Sequence, residues 1–385
     1  MQFLSDFIAS IPWLLIAASV GKTLFLIFLV VLPLVSYTVY AERRVSALIQ
    51  DRVGPNRTGF PTSLLGFKQD LQLFLGGLGQ PVADAMKFML KEEFTPGHVN
   101  KVYFWLAPVL AMVPALSTLA VIPFGNFLFG QKMVIADVNI GILYVFAIAS
   151  IGVYGIVIAG WASNSKYPFL GGIRASSQMI SYELSLGLSA VPVLMIIGNM
   201  NLSQVIQYQI DNGWLLMPFT NGVFELKKLV LWAPIIISFI VFTISMFAET
   251  NRLPFDLPES ETELVAGYHT EYAAMKFALF FLGEYAAMIV GSSLIVVMFL
   301  GGWHLPFLPM NTMESSTTPT GVILGFIHIS VFFAKVAMLL FLFIWIRWTL
   351  PRFRFDQLMK LGWLYLFEIA LANIFLTAAI LALWK

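Results

Sequence analysis

Six carboxylates crowd one short stretch of an otherwise apolar chain. Residues 247–275 read FAETNRLPFDLPESETELVAGYHTEYAAM and hold Glu249, Asp256, Glu259, Glu261, Glu263 and Glu271. Arg252 is the lone arginine or lysine among them, and His269 the only other switchable base. A long apolar run ends just before this stretch and another begins just after it, which sets the acids at a membrane boundary. Mutual repulsion and partial withdrawal from water both favour the protonated form of a carboxylate. Such a cluster can take up and release protons near neutral pH, the chemistry a proton-coupled membrane machine needs. A solvated acidic loop is the plainer alternative, but Leu264, Val265, Ala266 and Tyr268 run through the acids and favour packing.

Further ionisable residues stand inside the apolar runs, where a charge is costly and each is a functional candidate. They are Lys22, Glu183, Lys276, Glu284, Lys335 and Glu368, with Asp137 just before the third run and Glu249 at the end of the fifth. A static ion pair or a helix-packing hydrogen bond would account for Lys335 or Glu368. Glu183, Glu249 and Glu284 connect with the acidic stretch instead, and a relay of acids needs only a water or hydroxyl between members. Ser181, Tyr182, Tyr272 and Tyr285 offer hydroxyls, and Glu259 and Glu263 would share a face on a helix.

Composition states what must carry these groups. The 385 residues are 59% hydrophobic and 11% charged, against about 25% charged in soluble domains, and mean hydropathy is +0.85. The expected fold class is therefore all-α: a polytopic membrane protein whose helices satisfy their own backbone in lipid. Eight stretches approach or exceed the roughly 20 residues a span requires: residues 11–40, 102–124, 140–160, 178–197, 229–247, 273–300, 321–346 and 361–384. The whole chain reads as one integral membrane domain, without a cleavable signal peptide.

Of the 22 Lys and Arg, 15 lie in the odd-numbered loops, four in the even loops and termini and three within spans. The bias places the odd loops, including the acidic loop 248–272, on the cytoplasmic side and both termini outside. The first cytoplasmic loop, 41–101, carries two amphipathic patterns read as interfacial helices, separated by Gly76-Gly77-Leu78-Gly79. With no cysteine, the chain is not expected to hold an iron–sulfur cluster, and His98, His269, His304 and His328 lack metal-ligand spacing. No phosphate-loop, dinucleotide, zinc-protease or nucleophile-elbow signature occurs. A net charge of +1 gives no reason to expect nucleic acid.

Several long motifs together resemble one family. They are AERRVSALIQDRVGPNR, QPVADAMKFMLKE, WASNSKYPFLGGIRASSQMISYELSLGLS, the acidic stretch itself and WIRWTLPRFRFDQLMKLGW. They are similar to the H-type membrane subunit (mitochondrial subunit 1) of proton-pumping NADH:quinone oxidoreductase, respiratory complex I. The resemblance runs from about Tyr40 to Trp363 and extends to the eight-helix layout. It implies a heel subunit joining a hydrophilic redox arm to a pumping membrane arm, with quinone as substrate.

Carried over position by position, it implies a quinone cavity shaped by Glu42, Arg43, Asp84, Arg252 and Asp256. It implies proton coupling through Glu183, Glu249, Glu259, Glu261, Glu263, Glu271 and Glu284. Arg174 and residues 352–356 also match, and docking or packing is expected of them. FMN and iron–sulfur clusters would sit on partners: the iron–sulfur and quinone-site subunits of the redox arm. Other membrane-arm subunits and lipid would complete the surroundings.

A bacterial cytoplasmic membrane is expected rather than the mitochondrial inner membrane. One departure is an insertion at about residues 60–79, FPTSLLGFKQDLQLFLGGLG, where the family has only a few residues; a lipid-facing role is expected. The alternatives are a homologous subunit of a ferredoxin- or deazaflavin-dependent quinone reductase or of a membrane-bound hydrogenase, and a lone ion-coupled transporter, for which no inverted repeat is visible.

Overall fold

The computed structural model describes residues 20–56, 58, 77–217 and 219–383, apart from residues 22, 25, 129–130, 221–222, 225, 259–260 and 307–318. Within these residues the chain is almost wholly helical, and its few strands form two short hairpins, Phe127–Leu128 with Gln131–Lys132 and Phe219–Thr220 with Val223–Phe224. Seven helices are long and apolar enough to cross a membrane. The chain is therefore an integral membrane protein of the all-α class. The first expected span begins outside the described residues.

In chain order, a π-helical turn (Leu26–Val31) leads into α1 (Leu32–Ile49), followed by the short α2 (Gln80–Leu90). Then come α3 (Lys101–Thr118), α4 (Gly141–Ala162), α5 (Lys166–Ile197), the short α6 (Leu202–Asn212) and α7 (Leu226–Glu249). A single turn α8 (Glu261–Leu264) precedes α9 (Ala274–Phe299) and α10 (Pro319–Thr349). The chain closes with α11 (Phe355–Lys360), a π-helical segment (Leu361–Leu366) and α12 (Phe367–Leu383), which run on as one span.

Helix α9 is the axis of the bundle. The most apolar stretch of α9 is 78% buried, against 22–44% in the other spans. It packs on α1, α3, α6, α7 and α10. A helix apolar on every side has no solvent face to offer and is stable only when surrounded. The outer helices turn Phe341, Trp345 and Phe375 outward, as lipid contact requires.

Two helices overrun the expected bounds. Helix α1 continues past Tyr40 to Ile49, so AERR is helical rather than the start of a loop. Helix α5 starts at Lys166, and its 32 residues reach about 48 Å at 1.5 Å per residue, more than a bilayer core of about 30 Å. Its first turns therefore project beyond the hydrocarbon. There Gly171 lies against the acidic loop: a Cβ would fall 2.7 Å from the Tyr268 nitrogen, so only glycine permits that approach.

The second expected interfacial helix is α2, with Val82, Met86, Met89 and Leu90 exposed along it. The first, and residues 60–76 of the insertion, lie outside the described residues.

Candidate functional site

The site grows from three helix ends that meet near the acidic loop. Helix α1 delivers Glu42, whose carboxylate is buried in a lipid-spanning bundle and must be paired to remain charged. It has two partners: Arg347 from the end of α10 forms an ion pair with it, and Tyr285 of α9 donates its hydroxyl at 2.6 Å. The Tyr285 ring then lies beneath the Arg252 guanidinium, 4.2 Å from centroid to Cζ. Arg252 in turn approaches the Glu284 carboxylate at 3.7 Å, and Tyr268 donates its hydroxyl to the same carboxylate at 2.9 Å. Arg347, Glu42, Tyr285, Arg252, Glu284 and Tyr268 thus form one continuous polar row through an apolar interior.

The row ends at a cavity. About 100 Å³ of interior space, room for several waters, is bounded by Glu284 and Tyr268 on one side and Glu249, Thr250 and Asn251 on another. One carboxylate oxygen of Glu249 is buried there without a protein hydrogen-bond partner. Glu183, half-buried on α5, lies close enough for its charge to act on Glu249. Water in this cavity would supply the bridge a relay between Glu284 and Glu249 requires.

The acidic loop is packed, not solvated, over its first part. Thr250, Asn251, Arg252, Phe255, Asp256 and Leu257 are all buried. Gln178, fully buried on α5, fixes them: its amide nitrogen donates to the Ala248 and Phe255 carbonyls at 2.8 and 2.7 Å and to the Asn251 side chain at 3.2 Å. Asp256 accepts from Arg352 at 2.9 Å. Tyr272 stacks flat on Phe104 at 4.0 Å, and burial pushes its phenol well above the usual range, so it stays protonated.

The remaining predicted residues divide. Arg43 and Asp84 pair at 2.7 Å, tying α1 to α2, and Gln80 also donates to Asp84 at 3.0 Å. Glu42 and Arg43 both line an open cavity of about 480 Å³ with Ser46, Arg52, Pro55 and Trp348, so the AERR motif adjoins both an open mouth and the buried row. Glu263 is exposed and pairs with Arg174 at 2.5 Å, away from the buried row. Glu271 is half-buried. Glu259 and the side chain of Glu261 lie outside the described residues.

Arg347 is a site residue that sequence reasoning did not single out. Packing or docking is the expectation for residues 352–356, where Arg352 pairs with Asp256; Arg347 answers Glu42, from 305 residues away. The available signal was the density of arginines in WIRWTLPRFRF, opposite buried acids that needed cations. Of the four hydroxyls offered to a relay, that of Tyr285 lies in the buried row. Tyr182 donates to the Leu358 carbonyl, and Ser181 donates to Ser177 and accepts from Trp363. Among the described residues no three His, Asp or Glu gather as a metal site would.

A bundle wound on one buried axial helix, with a row of paired charges running into its interior, defines a polytopic membrane protein with a charged interior. The chain belongs to the NADH dehydrogenase family, which matches residues 22–378. It is 46% identical over 362 residues to the NADH-quinone oxidoreductase H 1 subunit of Geobacter metallireducens, covering 93% of this chain and 95% of the relative. It is 43% identical over 362 residues to the H 1 subunit of the same enzyme from Cytophaga hutchinsonii, with the same coverage. With NADH-quinone oxidoreductase subunit 8 of Rhodothermus marinus it shares 43% identity over 364 residues, 94% and 96% of the two chains.

Proposed function

We propose that this chain is the membrane subunit of a redox-driven proton pump that helps form the quinone cavity and couples quinone reduction to proton translocation. The observation that carries the reading is the row from Arg347 through Glu42, Tyr285 and Arg252 to Glu284. It joins the open mouth beside AERR to the cavity bearing Glu249. The relatives' names supply NADH as the electron source and a multisubunit complex as the setting.

Quinone reduction takes two electrons and two protons. The chain has no cysteine to hold a cluster, so electrons arrive from iron–sulfur partners docked on the cytoplasmic side. Negative charge appearing on quinone near Glu42 and Arg43 competes for the arginines that now neutralise Glu42, Asp256 and Glu284. A carboxylate losing its cation in a poorly polarisable interior binds a proton. When neutral quinol leaves, the arginines return and the protons are expelled. Glu284, Glu249 and Glu183 carry this change inward; Glu259, Glu261, Glu263 and Glu271 make the acidic loop that feeds it from the cytoplasm. The Lys and Arg bias supports both termini outside, and the bacterial relatives support a bacterial cytoplasmic membrane.

The test is gentle purification from the native membrane followed by an NADH–quinone reductase assay. Copurification with iron–sulfur subunits and activity blocked by quinone-site inhibitors is the expected result. A chain that purifies alone and moves ions unaided would overturn it.

A further inference from the structure

At the far end of α9 from Glu284, the helix is tied off by side chains of two other helices. The last carbonyls of a helix have no partner of their own and must find one. Gln209 of α6, fully buried, donates to the Val297 and Met298 carbonyls at 2.8 and 3.2 Å and accepts from the Gly301 nitrogen at 2.9 Å. Lys335 of α10, also buried, donates from one ammonium to the Leu300, Gly302 and His304 carbonyls at 2.7, 2.8 and 2.6 Å. The Trp214 ring covers the ammonium at 4.1 Å. Among the described residues no carboxylate pairs with Lys335. Its counter-charge is the negative end of the α9 dipole.

This anchor fixes more than a helix end. Lys335 and Arg347 lie on the same helix, 12 residues and so about 18 Å apart. Tyr285 and Leu300, their counterparts on α9, are 15 residues and so about 22 Å apart. Helices α9 and α10 are thus joined at two levels: Lys335 on the Leu300 carbonyl that caps α9 and the Gly302 and His304 carbonyls just beyond it, and Arg347 through Glu42 to Tyr285.

Resting on the function proposed above, we infer that Lys335, with Gln209, is a positioning residue of the charge row. It sets the axial register of α9 against α10, so that the Tyr285 hydroxyl meets Glu42 and Glu284 meets Arg252. Sliding α9 by even one residue, about 1.5 Å, would take Tyr285 out of hydrogen-bond reach.

The test is a double-mutant cycle in the assembled complex, with quinone reduction normalised to the amount of complex in the membrane. Lys335→Met and Tyr285→Phe should each lower the normalised rate about tenfold, and together they should lower it little further, because residues acting through one contact are not additive. If the double variant instead falls about a hundredfold, as independent sites would, Lys335 does not act through Tyr285 and the inference fails. A full rate in Tyr285→Phe alone would count against the site reading as well as this one. Should Lys335→Met not assemble, Gln209→Leu, which frees the Val297 and Met298 carbonyls, goes through the same cycle with the same outcomes.

Discussion

Tyr285 donates its hydroxyl to Glu42 at 2.6 Å while its ring supports the Arg252 guanidinium at 4.2 Å. One side chain on the axial helix therefore touches both a carboxylate from the start of the chain and the arginine of the acidic loop. The hydroxyl holds one charge and the ring face the other, so a shift of either is felt at Tyr285.

The Arg347–Glu42 pair is largely withdrawn from water, with side-chain exposures of 31% and 10%. Removing one member of a buried pair leaves the other uncompensated, at a cost of about 3–5 kcal/mol. The partial exposure of Arg347 places Arg347→Met at the lower end of that range. Adding Glu42→Gln should recover much of the loss, because no bare charge is left. Thermal inactivation of the purified complex measures both: Arg347→Met should be the more labile, and the double variant should lie closer to wild type. A double variant less stable than either single would contradict the pairing.

Gln178 predicts a local effect. Gln178→Leu keeps the bulk but removes the donor serving Ala248, Asn251 and Phe255, leaving the buried Asn251 side-chain oxygen unsatisfied at about 1–3 kcal/mol and the two carbonyls with one backbone bond each. Amide exchange in residues 250–257 should quicken while that of α4 does not change. Quinone reduction should fall with it, because Arg252 and Asp256 ride on the same segment. Unaltered exchange there would show that the loop is held by something other than Gln178.

Asp137 lies outside the spans, between α3 and α4. Partial burial works against its carboxylate, but hydrogen bonds from Lys132, Asn201 and Ser203 and the Lys132 charge outweigh that and hold its pKa below the ordinary value. A carboxyl whose pKa is depressed by folding contributes stability above its unfolded pKa, near 4, and loses that contribution as pH falls through the folded value. Asp137→Asn should therefore be less thermostable than wild type at pH 7, and the gap should close on acidification below pH 4. A gap independent of pH would assign the loss to packing instead of charge.

The helices were legible because hydropathy alone defines a span, and the amphipathic spacing in QPVADAMKFML was enough to mark α2. Buried acids were legible because charge is rare in apolar runs. Their partners were not. The ion pairs of Glu42 and Asp256 cross 305 and 96 residues, and nothing local in the sequence carries contacts that only tertiary packing creates. Lys335, a buried charge that reads as a functional candidate, is hydrogen-bonded to three backbone carbonyls that no sequence pattern marks. Glu263 was grouped with the buried acids by sequence proximity, yet one helical turn at α8 leaves it exposed to Arg174.

The central claim is that protonation of buried carboxylates is tied to quinone reduction through this row. Glu249→Gln tests it most directly, because Glu249 lines the same cavity as Glu284 and makes no ion pair among the described residues, so neutralising it leaves no bare partner. In sealed vesicles holding the assembled complex, NADH-driven quinone reduction and proton uptake are recorded together. The account predicts that both fall, by about tenfold or more, the scale of losing a proton-transfer group. Full quinone reduction with an unchanged proton-to-electron ratio would contradict it.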